Sequence, residues 1–514
     1  MQSIIALDVG TSSIRANVFS DEGERLFAAS YSYTPTFLND GRVRQSPDDW
    51  VRGAYDVLSR CRKYVEDRGS VAAISLASQR ASVVALDRYG APLGEAIMWQ
   101  DRTTLGQCTA LLGSVSMEEA YRITGLRIDP YFSAPKIMWI RDQEPQAFAQ
   151  ATHFVGVQDY IALALTGTLV TDASQASRTL LMDIASRTWS DVMLEAAQIE
   201  RSMLPEIVEP GTIVGTLCAD AARRTGLSID TPLVLAGGDQ QVAAIGMGVI
   251  SPGTVETNTG TGSFLISPVS QPTFHPEART LCSAAAIPDR WVAEAGVLTT
   301  GIVYRWFARE FVGEGTLDQE SAMFERLNRM IESSPAGANG VIVLPHFKGS
   351  AAPFWDPYAR GMFFNLTPAH TRSDMARAVL ESIVLEMGAN LELLRSVMTH
   401  PISKVMSAGG LTNFALFNQL QADVFDLPVG LSATVEATSV GALLSATVAL
   451  GTYASWEDAF ETICKHDDQR VEPRSSITAL YRQTTEVREA LYHALHDSGV
   501  YETTNRYTHR TGDR

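Results

Sequence analysis

The chain of 514 residues, 45% of them hydrophobic and 38 of them glycines spread along its length, is too long for one compact core, so two domains with a cleft between them are expected. Its net charge of -17 would repel a phosphate backbone, which excludes nucleic acid as a partner. Five scattered cysteines without a C-x-x-C pair exclude a disulfide framework and a zinc site, and no run of 18 apolar residues offers a membrane span.

The N-terminus opens on an apolar strand rather than on the basic and apolar stretches of a signal peptide, so the cytoplasm is the expected place of work. Residues 2–37 read as an antiparallel meander of three strands, at 4–7, 14–19 and 25–31, joined by a glycine turn and a second turn at 21–23. A helix follows over about 48–67, with Ser46 as its cap, Pro47 in its first turn, and Asp48 and Asp49 facing the helix dipole. Strands return at 71–76 and 82–86. Residues 253–266 repeat the opening pattern of two apolar strands around a turn of Gly, Thr and Ser, which predicts a duplicated architecture. The boundary is placed at 247–252, giving domains of 1–249 and 250–514. Further helices are expected over about 371–399, 413–425 and 474–498, with 501–514 as a polar, frayed tail.

Four constellations carry chemistry. The first, Asp8-Val9-Gly10-Thr11-Ser12-Ser13-Ile14-Arg15, ends a strand on a carboxylate and turns through small hydroxyl residues. Its backbone amides with Thr11, Ser12 and Ser13 can wrap phosphate oxygens, Arg15 can offset their charge, and Asp8 can orient Mg2+ through its waters. Alone, such a stretch is more often only a turn. Asn258-Thr259-Gly260-Thr261-Gly262-Ser263 supplies a second one, and two phosphate grips on opposite sides of a cleft suit an enzyme that closes on a nucleoside triphosphate. Neither is a Walker loop or a dinucleotide fingerprint. The third, Leu233 to Gln241, delivers Asp239 at a rigid strand end. There a carboxylate can take the proton of an alcohol during phosphoryl transfer, or merely cap the next helix. In the fourth, Met406 to Asn413, Gly409 and Gly410 let a base or ribose approach the backbone, as any strand-to-helix loop would.

In this order and spacing, over nearly the whole chain to about residue 460, these elements resemble the FGGY family of carbohydrate kinases within the actin-like ATPase fold. Residues 131–143, beginning Tyr131-Phe132-Ser133-Ala134-Pro135-Lys136, are similar to the family's first signature. Residues 97–102, 172–179 and 353–361 add to the likeness, which is strongest to glycerol kinases. The resemblance implies an α/β, two-domain fold of the ribonuclease H-like type, with duplicated mixed sheets around a central cleft. It also implies ATP-dependent phosphorylation of a primary hydroxyl of a small polyol or sugar with Mg2+, by a homodimer or larger homo-oligomer. Asp239 would be the general base and, with Arg80, Trp99, Tyr131, Gln240 and Phe264, would line the substrate pocket. Thr11, Ser12, Ser13, Arg15, Gly260, Thr261, Gly409 and Gly410 would hold the nucleotide phosphates and ribose, Gly301 would sit beside the adenine, and Asp8 would serve the metal.

Three positions depart from the pattern. Glycerol kinases carry a Glu after their Gln-Arg pair, where this chain has Ala81 in Gln79-Arg80-Ala81-Ser82. An alanine accepts no hydrogen bond from a substrate hydroxyl, a loss of about 1–3 kcal/mol. That argues against glycerol and for a four-carbon polyol or a pentulose, whose extra hydroxyls could reach Arg80 or Ser82. Phe414 replaces an Asn of the adenosine motif. Asn365 replaces a Gly of the second signature, which reads as a matter of packing. Elsewhere, the nine dispersed histidines show no metal-ligand spacing, and Trp306 and Phe307 are expected to pack a helix on the sheet. Trp355 reads as a cleft wall or a substrate contact, and Glu436 as a brace for a helix beside the nucleotide site. The alternative function is a catalytically silent sugar-binding or sensing protein of the same fold; retention of both Asp8 and Asp239 favours the kinase.

Overall fold

The computed structural model describes residues 2–20, 22–297, 299–313, 320–432, 436–464 and 469–512. Asp21 of the expected turn, and Asp513 and Arg514 of the tail, lie outside them. Two mixed sheets form the frame. The first contains β1 (Gln2–Val9), β2 (Ser13–Ser20), β3 (Arg25–Ser32), β4 (Ser70–Ser78), β5 (Ile213–Thr216) and β6 (Pro232–Gly238), in the spatial order β5-β6-β4-β1-β2-β3. The second contains β7 (Thr254–Thr259), β8 (Ser263–Val269), β9 (Leu281–Ala284), β10 (Trp291–Val297), β11 (Lys404–Gly409), β12 (Val429–Leu431) and β13 (Gln469–Val471), in the order β9-β10-β8-β7-β11-β12-β13.

Read from β3 and from β10, the pairings run in the same sequence: antiparallel, antiparallel, parallel, parallel, antiparallel. The duplication expected from residues 253–266 therefore extends to whole sheets. They differ in that β9 adds an edge to the second sheet, and in that β5 precedes β6 in the chain whereas β13 follows β12.

Strand β1 is buried on both faces, and its alternate side chains enter different cores. Ile5, Leu7 and Val9 pack with Trp50, Val57 and Leu58 of α1 (Pro47–Val65). Ile4 and Ala6 face the other way, toward Val242, Leu443 and Leu444. Those last residues belong to α2 (Asp239–Gly246) and α3 (Ala437–Ala449), which follow β6 and β12, the equivalent strands of the two halves. The two helices cross between the sheets at very short range. A Cβ on Gly246 would collide with the Ala437 carbonyl, and one on Gly441 with the Val242 carbonyl, so only glycine permits the crossing.

Several local expectations are corrected. Helix α1 does start at Pro47, but the Ser46 side chain makes no capping bond; its carbonyl instead accepts from Asp49 N at 3.1 Å. The strand expected at 82–86 is Val84–Leu86 and pairs with His153–Val155 outside the main sheet. The tail expected to fray is a helix, Val500–Gly512. It is held because Tyr501 is buried with Tyr492, Leu344 and Ala359, and because Arg360 donates to the Asn505 side chain at 3.1 Å.

In the second half, one long helix, Arg372–Val397, covers a face of the second sheet and organises its core. Its start is a capping box between Thr371 and Asp374. Phe307 is fully buried in that core, and Trp306 packs on Phe347 with ring centroids 4.7 Å apart. Asn365 has φ 65°, so the glycine expected there answers to backbone conformation, which Asn tolerates; its side chain also donates to the Gly340 carbonyl at 3.0 Å. Among the described residues no helix is long and apolar enough to cross a membrane.

Candidate active site

The turn after β1 is built tightly. Gly10 N donates to Ser13 O at 3.0 Å, and the Gly10 carbonyl accepts from Tyr33 OH at 2.6 Å and Gln79 Nε2 at 3.2 Å. The turn after β7 is its shorter counterpart: Gly10 to Ser13 span the gap between the paired Val9 and Ile14, whereas Gly260 to Gly262 span that between Thr259 and Ser263, and Gly260 N donates to Gly262 O at 2.8 Å. Asp8 of the first copy is answered by Asn258 in the second, so only one half brings a carboxylate to its turn.

The second turn gathers the other residues expected around the nucleotide. Gly301 N donates to Gly260 O at 3.1 Å and Thr300 N to Thr261 O at 3.2 Å, while Thr259 pairs in register with Gly409. Gly409 has φ 105°, a conformation suited to glycine, and Gly260 and Gly410 both face open space. Across from them, Arg15 lies 3.6 Å from Glu436, the residue at the start of α3. This gives Glu436 its bracing role beside the first turn.

The candidate base stands at the junction of β6 and α2. The Asp239 carboxylate accepts from Gln240 N at 2.8 Å and lies 3.6 Å from Arg80 Nε, with 32% of its side chain open. Asp239 is itself the first residue of the helix, and Gly238 occupies the cap position. Burial raises its pKa, with Arg80, the Gln240 amide and Arg178 opposing. The Asp8 carboxyl is pushed up to about 7 by burial and then by Asp239, with Arg15 opposing and Glu436 adding to the rise. Its Oδ1 is buried without a partner. A buried, unpartnered carboxylate oxygen beside two further acids is an environment that a cation would relieve. Mg2+, an ion that takes one or two carboxylates, waters and phosphates, is of the kind that such a single carboxylate would suit.

The residues expected around the substrate meet in two linked groups. Arg80, fully surrounded by protein, donates to the Gln240 side chain and so joins it to Asp239. Trp99 and Tyr131 are in ring contact at 5.6 Å, and Trp99 Nε1 donates to the Thr11 hydroxyl at 2.9 Å. Phe264 stands apart on β8, 37% exposed and packed beside Gly296.

Ser82 does not fulfil its expected role. It is 1% exposed, accepts from Trp99 N at 3.1 Å and reaches Gln79 Oε1 at 3.4 Å, so its hydroxyl serves the pocket wall and not a ligand. Ala81, at φ 64°, lines an internal cavity of about 30 Å³ together with Ser133, Asp159, Thr171 and Gln175. Phe414 is buried in the second core, where its ring replaces any polar contact. Trp355 donates to the Arg279 carbonyl at 3.0 Å, and Arg127 stacks on it at 4.9 Å.

Other residues hold this geometry and had no role assigned from sequence. Asp101 accepts from Val43 N at 2.8 Å and pairs with Arg44, fixing the loop that carries Trp99. Arg102 pairs with Asp129, which also accepts from Tyr131 N at 2.8 Å. Lys136, buried without a carboxylate partner, donates to the carbonyls of Pro130, Tyr131 and Phe132 and so fixes the Tyr131 backbone. Asp172 caps the short helix Ala173–Ala176, and Ser174 Oγ from that helix accepts from Gly238 N at 2.9 Å, directly before Asp239. The signal for these lay in charged residues within the quoted motifs.

Comparison with known proteins shows the family and the fold. The model for the FGGY family of carbohydrate kinases, N-terminal domain, matches residues 3–246, and that for the C-terminal domain matches residues 255–450. A glycerol kinase of Koribacter versatilis is 33% identical over 488 residues, covering 92% of this chain and 94% of the relative. The ligand-bound xylulose kinase from Lactobacillus acidophilus superposes with a TM-score of 0.90 at 25% identity, over 98% of this chain and all of that one (100%). The glycerol kinase of Plasmodium falciparum with ADP shares the fold, with a TM-score of 0.87 at 23% identity over 96% of this chain and 98% of its own. The chain belongs to the FGGY family of carbohydrate kinases, and it is an ATP-dependent kinase of a carbohydrate or polyol hydroxyl.

Proposed function

We propose that this FGGY kinase phosphorylates a primary hydroxyl of a four- or five-carbon polyol or pentulose, with Asp239 as the general base. The observation that carries the assignment is the position of Asp239, a carboxylate at a rigid strand end, one-third open to the cleft and 3.6 Å from a buried arginine. Its burial-raised pKa makes it a stronger base than a surface aspartate. The substrate hydroxyl gives its proton to the Asp239 carboxylate as its oxygen attacks the γ-phosphorus. The bond from that phosphorus to the bridging oxygen breaks, and ADP leaves. Arg80 and Gln240 orient the attacking alcohol, while Trp99 and Tyr131 form the wall against which its carbon chain lies. The turns at 10–13 and 260–263 hold the phosphates from either side. Mg2+, when bound with Asp8 among its ligands or their waters, neutralises charge on the transferring phosphates.

The substrate class is supported by Ala81, which offers no acceptor to a third hydroxyl, and by the presence of both glycerol and xylulose kinases among the similar proteins. The cavity behind Ala81 holds about one or two waters, so extra substrate length is accommodated outside it. Five cysteines without a disulfide among the described residues support a reducing, cytoplasmic setting, and self-association rests on the family resemblance. The test is ADP release over a panel of polyols and pentuloses, read as kcat/KM. The highest value should fall on a four- or five-carbon substrate, and glycerol as the best substrate would refute the assignment.

A further inference from the structure

Apart from Phe264, the residues attributed to the sugar pocket lie in the first half of the chain, yet Arg178, packed on the Tyr131 ring, pairs with a carboxylate of the second. Arg178 follows the short helix Ala173–Ala176, and its guanidinium lies over the rings of Tyr131 and Phe132 at 5.3 and 5.1 Å. Its Nη1 donates across the cleft floor to both oxygens of Glu294, at 3.1 and 3.2 Å, and to Ser283 Oγ at 3.0 Å. Glu294 and Ser283 stand on β10 and β9 of the second sheet.

Glu294 is 5% exposed. Although burial works against its charge, Arg178 and then Arg80 hold its pKa below the ordinary range, and its ion pair is with Arg178. Conversely, among the charges that keep Arg80 protonated against its burial, Glu294 is the largest, ahead of Tyr131, Asp239 and Glu256. In cross-strand register Glu294 is level with Ile266 and Glu256, so the two acids share the sheet face that looks toward α2 and the catalytic junction.

We propose that Glu294 is a positioning residue for the sugar pocket, which through its ion pair with Arg178 makes the pocket's geometry depend on the placement of the second, nucleotide-holding half. This rests on the assignment of the Arg80–Tyr131 pocket to the sugar. A shift of the second sheet when nucleotide binds carries Glu294 with it. The aromatic wall and the arginine beside Asp239 then adjust together, and nucleotide and sugar bind cooperatively. A residue needed only for folding would leave the two binding events independent of it.

The experiment measures sugar affinity by calorimetry with and without a non-hydrolysable ATP analogue, for the whole chain and its variants, using the best substrate of the panel. In wild type the analogue should tighten sugar binding at least fivefold. In Glu294→Gln that gain should vanish and sugar KM should rise at least tenfold, while affinity for the ATP analogue measured without sugar stays within twofold and the melting temperature within a few degrees. A second variant, Arg178→Leu with Glu294→Leu, replaces the buried pair by apolar groups, an exchange that often preserves folding; it should lose the same cooperativity. Retained cooperativity in either folded variant, or loss of folding in both, overturns the proposal. A wild type that phosphorylates no sugar on the panel would instead refute the functional assignment, while binding of ATP analogue would still be measurable.

Discussion

Trp99 Nε1 donates to the Thr11 hydroxyl at 2.9 Å, so one hydrogen bond joins the wall of the sugar pocket to the first phosphate turn. Thr11 in turn reaches Gln79 Oε1 at 3.4 Å, and Gln79 holds the Gly10 carbonyl. Trp99→Phe keeps an aromatic face and removes the donor. Its KM should rise for ATP as well as for the sugar, by about three- to tenfold each, the worth of a net hydrogen bond of about 0.5–1.5 kcal/mol. Steady-state kinetics with both substrates varied checks this, and a change confined to the sugar would deny the link.

Asp8 sets an expected pH dependence for the metal. Its carboxyl, pushed up to about 7, must lose its proton before it can serve a cation. The Mg2+ concentration for half-maximal activity should therefore fall as pH rises from about 6 to 8. Asp8→Asn should need far more Mg2+ at every pH and should show only the slope due to ATP itself. Equal Mg2+ requirements in the two proteins would remove Asp8 from the metal site.

Glu256 gives a dependence in stability. The residue is 1% exposed, and burial pushes its pKa up to about 8, with Asn258 and Arg80 opposing and Asp239 and Glu294 adding to the rise. The folded state thus holds a proton that the unfolded state gives up near pH 4.5. The cost is absent below the unfolded pKa, grows as pH rises toward about 8, and then levels off. Glu256→Gln removes it. Its melting temperature should match wild type near pH 5 and exceed it by several degrees at pH 8.5, as calorimetry over that range would register.

Ala81→Glu should improve kcat/KM for glycerol at least tenfold, by supplying an acceptor for two neighbouring hydroxyls, and should lower it for a pentulose by crowding. The small cavity behind Ala81 leaves the longer side chain little room except toward the substrate. An unchanged ratio of glycerol to pentulose activity would show that this position does not govern choice.

Much of this was legible from the chain because the chemistry is carried by short, ordered turns. Gly10 to Ser13, Gly260 to Ser263 and the Asp239 junction announce themselves by small residues and a carboxylate at strand ends. Their repetition foretells paired sheets. What the sequence hid depends on distance along the chain. Glu294 lies 116 residues from Arg178 and stands on a strand with no motif of its own. Ser82 looked available because it follows Arg80 and Ala81 in the motif, whereas its hydroxyl is turned to Gln79 and Trp99. The tail looked frayed because its many polar residues mask one buried ring, Tyr501.

The central claim, that Asp239 accepts the proton of the substrate hydroxyl, is tested most directly by single-turnover phosphoryl transfer in Asp239→Asn. The expected result is a rate at least ~100-fold below wild type, with ATP binding and melting temperature unchanged. A rate within a few-fold of wild type would contradict it.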